Sequence, residues 1–105
     1  MKPNQNYCVS SGSSYVIDLK MTGAQIEMCY HSGDCDEDIS RVMELPEIKA
    51  QLDAIPDEQL QKWWDEFFCD DNGEEHRSKP RECKLSWLIF DCCANAIDGF
   101  CEEID

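Results

Sequence analysis

The sequence is poor in basic residues, and this deficit excludes several classes of function. Nine Lys and Arg stand against 23 Asp and Glu in 105 residues, which gives a formal charge of −14 at pH 7. A chain with this charge repels nucleic acids and anionic membrane surfaces, so we expect it to bind neither directly. The sequence also lacks an apolar run long enough to cross a bilayer.

Other absences narrow the possible class of protein further. Residues 1–6 contain no apolar stretch of the kind found in signal peptides, so we expect a cytoplasmic protein. The chain has no internal repeat, linker or low-complexity segment, and its length suits one core, which predicts a single domain over residues 1–105. No nucleophile, base and oxyanion-binding group occur together as a catalytic motif. We therefore predict that the protein is not an enzyme and uses no cofactor.

Cysteine is present in excess, with eight in the chain, at positions 8, 29, 35, 69, 83, 92, 93 and 101. An even count at this density is typical of secreted proteins, so a secreted disulfide-bridged effector is one alternative. Cys92 and Cys93 are neighbours in an apolar helical segment, where their side chains point about 100° apart and cannot bridge each other. Cysteine in such a segment behaves as a small apolar residue. We expect most of the thiols to be free and buried.

The first part of the chain predicts a small β element followed by a short helix. Residues 7–10 and 15–21 are β-prone and flank a Ser-Gly-Ser turn, and the odd positions of the second run are apolar, which predicts a hairpin. Thr22 and Gln25 have the spacing of a capping box, which predicts a helix over residues 23–31. A further strand over the same residues is the alternative.

The rest of the chain predicts helices at residues 36–44, 46–54, 56–68 and 82–100, with a loop at 69–81. The last helix has one apolar face at Leu85, Leu88, Ile89, Cys92 and Ala96 and a second at Trp87, Phe90, Cys93 and Ile97. Such a helix lies either at the centre of the domain or at a homodimer interface. The predicted fold class is α+β, mostly helical, with four to five short helices and a small N-terminal β-hairpin or strand.

Cys29, His31 and Cys35 form the pattern that comes closest to a metal site. Two thiols and an imidazole lie within seven residues, and Cys69, His76 or Cys83 would supply a fourth ligand for tetrahedral zinc. The spacing matches no standard zinc knuckle. We therefore predict no metal, and keep a small zinc-stabilised regulatory or structural module as an alternative.

The densest feature is the aromatic and acidic segment that begins at Trp63. Four aromatic residues occur in the six positions 63–68, so we expect Trp64 or Phe68 to face outward, with Trp64 as the anchor for a partner. Burial of this helix on two sides is the alternative. The predicted partner-binding residues are Trp64, Asp65, Glu66, Asp70, Asp71, Glu74 and Glu75. Further acidic clusters lie at residues 34–38 and 98–105.

Residues 21–39, with the sequence MTGAQIEMCYHSGDCDEDI, together with residues 45–55, 57–67 and 85–89, resemble small proteins encoded by bacteriophages and mobile elements. This resemblance implies an accessory protein in the cytoplasm of a host cell, and it transfers no activity. In size and acidity the chain is similar to anti-CRISPR and related anti-defence inhibitors. Charge and resemblance together predict an inhibitor that blocks a basic, nucleic-acid-binding surface of a host protein complex, such as a CRISPR effector.

Overall fold

The computed structural model describes residues 1–11, 17–67 and 79–104. In chain order the elements are β1 (Asn6–Ser10), β2 (Asp18–Thr22), α1 (Gly23–Cys29), α2 (Asp36–Met43), α3 (Pro46–Asp53), α4 (Asp57–Phe67), α5 (Arg81–Ile97) and β3 (Cys101–Ile104). The predicted class, α+β and mostly helical, is confirmed.

The strands form an antiparallel sheet in the order β2-β1-β3. Tyr7 pairs with Met21 and Val9 with Leu19, and all four side chains are buried on the same face. The alternation seen in the sequence therefore sets the hairpin register, because a shift of one residue would expose these side chains. The outer edge of β2 is covered by α3, whose Gln51 side chain accepts from Lys20 N–H (2.7 Å) and donates to the Lys20 carbonyl (2.8 Å).

Helix α1 begins with the predicted capping box. Thr22 Oγ1 accepts from the Gln25 N–H (3.2 Å) and Gln25 Oε1 accepts from the Thr22 N–H (2.9 Å), so two backbone donors at the helix start are satisfied. This result confirms the helix and rules out the strand alternative for these residues. The predicted helices 36–44, 46–54 and 56–68 correspond to α2, α3 and α4 with small differences at their ends.

Strand β3 was not predicted, because its sequence, CEEI, has only two apolar residues and follows an apolar helix. Helix α5 ends at Ile97, where Gly99 adopts φ +98°. The Phe100 N–H donates to the Asn95 carbonyl (2.9 Å) and the Gly99 N–H to the Ala96 carbonyl (3.0 Å), the two bonds of a Schellman motif. This turn reverses the chain and brings Cys101 opposite Val9 on β1.

The core lies between the sheet and the helices, and α5 contributes most to it. Leu88, Ile89, Cys92 and Cys93 on this helix are fully buried, and α5 contacts β1, α1, α2 and α4. Cys93, which the sequence placed on a second apolar face with Trp87 and Ile97, belongs to the core face. No helix within the described ranges combines the length and the apolar composition that crossing a membrane requires.

Candidate functional site

The helix that carries the predicted anchor, α4, holds its tryptophans inside the core. Trp63 is 0% exposed and Trp64 is 1% exposed, with their ring centroids 6.2 Å apart. A side chain with 1% exposure offers no surface to a partner, so the prediction of Trp64 as an outward-facing anchor is wrong. The two tryptophans of α4 fill the core, as in the alternative that the sequence left open.

The acidic residues predicted to surround that anchor are only partly within the described residues. Asp65 and Glu66 are half-buried on α4, and Asp65 Oδ1 accepts a hydrogen bond from Gln61 Nε2 (2.8 Å). The other four, Asp70, Asp71, Glu74 and Glu75, lie outside the described residues, as does Phe68. The structure thus keeps two of the predicted acids beside the core tryptophans and does not test the rest.

The predicted zinc alternative involves the loop between α1 and α2, which is held by local hydrogen bonds. His31 Nδ1 accepts from the Gly33 N–H (3.1 Å), and Nε2 lies 2.9 Å from Asp38 Oδ2. The buried Cys35 thiol approaches the carbonyls of His31 (3.7 Å) and Gly33 (3.6 Å). Within residues 1–11, 17–67 and 79–104, no three His, Cys, Asp or Glu side chains are grouped to hold a metal ion. Cys29, His31 and Cys35 therefore do not converge on one point.

The thiols on the core face of α5 are poor nucleophiles. Burial, reinforced by the neighbouring Asp91, raises the pKa of Cys92 above its ordinary value, and a hydrogen bond with Cys29, reinforced by burial, raises the pKa of Cys93. A raised pKa keeps a thiol protonated and a poor nucleophile. Seven cysteines lie within the described residues, and all seven are free: 8, 29, 35, 83, 92, 93 and 101. The disulfide-bridged alternative gains no support from these residues.

The opposite face of α5 carries apolar side chains that the core does not enclose. Trp87 is 44% exposed and Ile97 is 42% exposed, while Cys83, Phe90 and Ala94 are half-buried. We call these five residues the outer stripe. Their spacing alternates between four and three residues, which places them within an arc of about 80° over a length of about 21 Å. Trp87, Phe90 and Ile97 belong to the second apolar face that the sequence predicted, but the choice between core and interface required the structure.

Ring contacts hold the aromatic part of the outer stripe. The centroids of Trp87 and Phe90 are 6.1 Å apart with an interplanar angle of 78°, and Phe90 meets Tyr30 edge-on at 5.3 Å. Edge-to-face pairs at these distances are favourable. Phe90 therefore contacts both Tyr30 and Trp87, and this contact helps to fix the position of the Trp87 indole at the surface.

A groove of about 410 Å³ runs beside Trp87, between α2 and α5. Its lining residues are Asp36, Ile39, Cys83, Ser86, Trp87 and Phe90. A second concavity of about 460 Å³ shares Cys83 and Ser86 with the first and extends toward α3, where Glu44, Asp53 and Glu82 lie on its border with Lys49. The charged lining residues are thus Asp36 at the first groove, and three carboxylates with one lysine at the second.

Carboxylates also dominate the elements beside the groove. Asp36, Glu37 and Asp38 occupy the first turn of α2, where the helix dipole stabilises negative charge. Arg41 on the next turn pairs with Glu37 (2.6 Å) and Asp38 (3.4 Å). Near α5, Arg81 pairs with Asp57, and Lys84 Nζ donates to Gln61 Oε1 on α4. Arg41 and Arg81 are therefore paired with carboxylates of the protein itself, and Lys84 is hydrogen-bonded to a neutral amide.

Comparisons with protein-family models, with curated proteins and with solved structures found no significant match.

Proposed function

We propose that this protein is a small acidic inhibitor that binds a basic, nucleic-acid-binding surface of a host protein complex and blocks it. The observation that carries the proposal is an exposed tryptophan, Trp87, beside a groove that Asp36 lines at the acidic first turn of α2. This surface replaces the α4 surface that the sequence predicted, while the class of partner stays the same.

Charge is the first support for this proposal. The chain carries −14 in 105 residues, so its own carboxylates repel one another and a positively charged partner relieves that repulsion. Cytoplasmic proteins with strongly basic surfaces are mostly those that bind nucleic acids. Carboxylates on an acidic protein compete for the positions that phosphates take on such a surface, and they also steer the encounter.

The second support is that the groove provides more than charge. Tryptophan is enriched among the residues that dominate binding energy at protein interfaces, because it buries a large area with few rotatable bonds. Trp87 offers such an anchor, and Asp36 at the edge of α2 adds a charged group to the groove beside it, as expected for an apolar centre with a polar rim. Purely electrostatic binding would need no such centre.

The identity of the complex follows from the resemblance described above and belongs to the proposal. We propose a phage-type inhibitor in the cytoplasm of the host cell, with a CRISPR effector as the foremost target. It would act by occupying the basic surface, without catalysis and without contacting nucleic acid itself.

The proposal is tested by capture followed by competition. The immobilised protein is exposed to bacterial lysate at about 50 mM salt, and each captured protein is purified and assayed for binding to its own DNA or RNA. We expect the inhibitor to displace the nucleic acid, and the displacement to weaken strongly at about 500 mM salt because ions screen the charges.

A matched pair of charge reversals serves as the control. Asp36→Lys changes the border of the groove, whereas Glu102→Lys makes the same change of charge on β3. We expect the first variant to lose at least tenfold in affinity and the second to lose little. If displacement is equal at low and high salt, or if both variants are equally affected, the proposed function is wrong.

A further inference from the structure

We propose that the outer stripe of α5 binds one basic amphipathic helix of the partner, packed lengthwise along α5. This inference rests on the proposed function, since it takes from it the positive charge of the partner. It adds the shape of the bound element and the residues that select it.

The first step is the spacing of the outer stripe. Cys83, Trp87, Phe90, Ala94 and Ile97 repeat at intervals of four and three residues, the pattern of a helix that packs against another helix along a seam. The stripe covers two heptads, so it offers a helical partner a continuous line of contacts about 21 Å long. A flat or irregular partner surface would use this line poorly.

The second step is the shape of the surface. The groove of about 410 Å³ lies between α2 and α5, and its floor includes the buried side chain of Ile39 and the half-buried Phe90. Trp87 lines the groove and is 44% exposed, so it has contact area left for a side chain that enters. A helix lying on the stripe would insert its own apolar residues there, which is the helix-in-groove mode of recognition.

The third step is charge, which decides between a foreign helix and a second copy of this chain. Asp91 and Asp98 flank the stripe on α5, and Asp36 lies on the border of the groove. The neighbouring Lys84, which donates a hydrogen bond to the Gln61 side chain, is outnumbered by these three carboxylates. A second copy brings another −14 toward this surface, whereas a lysine- or arginine-rich helix is attracted to it. The occupant we infer is therefore basic.

The test uses synthetic peptides of about three heptads, with capped ends, at concentrations where each peptide alone is monomeric. The first peptide has leucine at the a and d positions and lysine at the flanking positions. The second has the same composition in scrambled order, and the third has the first pattern with glutamate in place of lysine. Binding is measured by calorimetry and by acrylamide quenching of tryptophan fluorescence.

Quenching reports on the proposed site because, of the three tryptophans, only Trp87 is exposed. We expect the patterned basic peptide to bind and to protect Trp87 from acrylamide. The scrambled peptide should bind at least tenfold more weakly, and the acidic peptide should not bind. Trp87→Ala should weaken binding of the patterned peptide at least tenfold, while Met28→Ala, which removes another exposed apolar side chain outside the groove, should leave it unchanged.

Three results would overturn the inference, and each is distinct from a failure of the proposed function. If the patterned and scrambled peptides bind equally and do not protect Trp87, charge alone determines binding. The inference of a bound helix is then wrong, while the proposed inhibition through a basic surface is unaffected. Absence of binding by either basic peptide also rejects the inference, while nucleic-acid competition in the capture experiment decides the function separately. A free protein that is dimeric, and that Trp87→Ala converts to a monomer, shows that a second copy occupies the stripe.

Discussion

Helices α4 and α5 both carry aromatic residues at helical spacing, yet they use them in opposite ways. On α4, Trp63 and Trp64 are almost completely buried although they are adjacent in sequence. On α5, the core face is made of smaller side chains such as Leu88 and Cys92, and Trp87 is left on the outside. The difference shows that aromatic residues close together on one helix can all serve the core, whereas a continuous exposed apolar stripe is typical of an interaction surface.

The two helices also differ in how much of their circumference is covered by other elements. Adjacent residues of a helix point about 100° apart, so burial of both Trp63 and Trp64 requires cover over a wide arc of α4. Helix α5 buries a broad face against the sheet and three helices and leaves a narrow arc open. The following predictions compare the two helices, from the largest expected effect to the smallest.

The largest contrast is expected between the tryptophans themselves. Trp63→Ala should lower the free energy of unfolding by about 3–5 kcal/mol, because it leaves a cavity in the core. Trp87→Ala should lower it by only about 1–2 kcal/mol, because the ring is 44% exposed and loses mainly its contact with Phe90. Urea titrations followed by circular dichroism measure both values, and equal losses would contradict the division between the two helices.

The next contrast concerns the pH dependence of the thiols on α5. The pKa of Cys92 and that of Cys93 are raised in the folded protein, so the folded state binds these protons more tightly than the unfolded state. Their contribution is fully present below the ordinary thiol pKa of 9.0 and is lost as the pH rises above it. We expect the free energy of unfolding to fall by up to about 1.4 kcal/mol per pH unit for each thiol.

Urea titrations between about pH 7 and pH 10.5 test this slope. Cys92→Ala should make the slope shallower, because it removes a buried thiol whose pKa is raised in the folded protein. If this variant keeps the slope of the parent protein, the burial of Cys92 does not control alkaline stability.

A smaller effect is expected at Arg81, which links α5 to α4 through an ion pair. The Arg81 guanidinium on α5 donates to the carbonyls of Leu52 (2.9 Å) and Ile55 (2.7 Å) and pairs with Asp57 on α4. Arg81→Met keeps most of the aliphatic length but removes these bonds, and should cost about 1–3 kcal/mol. Thermal and urea unfolding would show it, and a loss below about 0.5 kcal/mol would mean that water replaces the guanidinium without penalty.

The smallest effect is expected on the exposed face of α4. Lys62 Nζ lies 3.4 Å from Glu58 Oε1, one helical turn earlier, and both side chains are largely exposed. Lys62→Met should change the free energy of unfolding by less than about 0.5 kcal/mol, because such pairs are screened by water and salt. A larger loss at this position, measured in the same titration as Arg81→Met, would show that α4 depends on its surface charges.

The features that the sequence predicted correctly are those set by near neighbours. The alternation from Ile17 to Met21 and the capping box at Thr22 and Gln25 need no knowledge of the rest of the chain, and both are present in the structure. The core face of α5 follows in the same way from its apolar periodicity.

What the sequence could not provide depends on contacts between distant parts of the chain. Whether Trp64 faces the core depends on which elements cover α4, and β3 exists only because β1 offers it an edge. The exposure of Trp87 has the same origin, since the second apolar face of α5 suited burial or an interface equally well. The contribution of Asp70, Asp71, Glu74 and Glu75 to partner binding stays a prediction.

The position of β1 in the middle of the sheet has a consequence for how the protein folds as it is synthesised. Asn6 pairs with Thr22 on one side and with Ile104 on the other, so one edge of β1 finds its neighbour early and the second must wait for residues nearly a hundred positions later. Until then, the strand NYCVS offers open backbone groups to any other chain. A newly made chain therefore keeps one edge of β1 open to pairing with other chains until β3 docks on it.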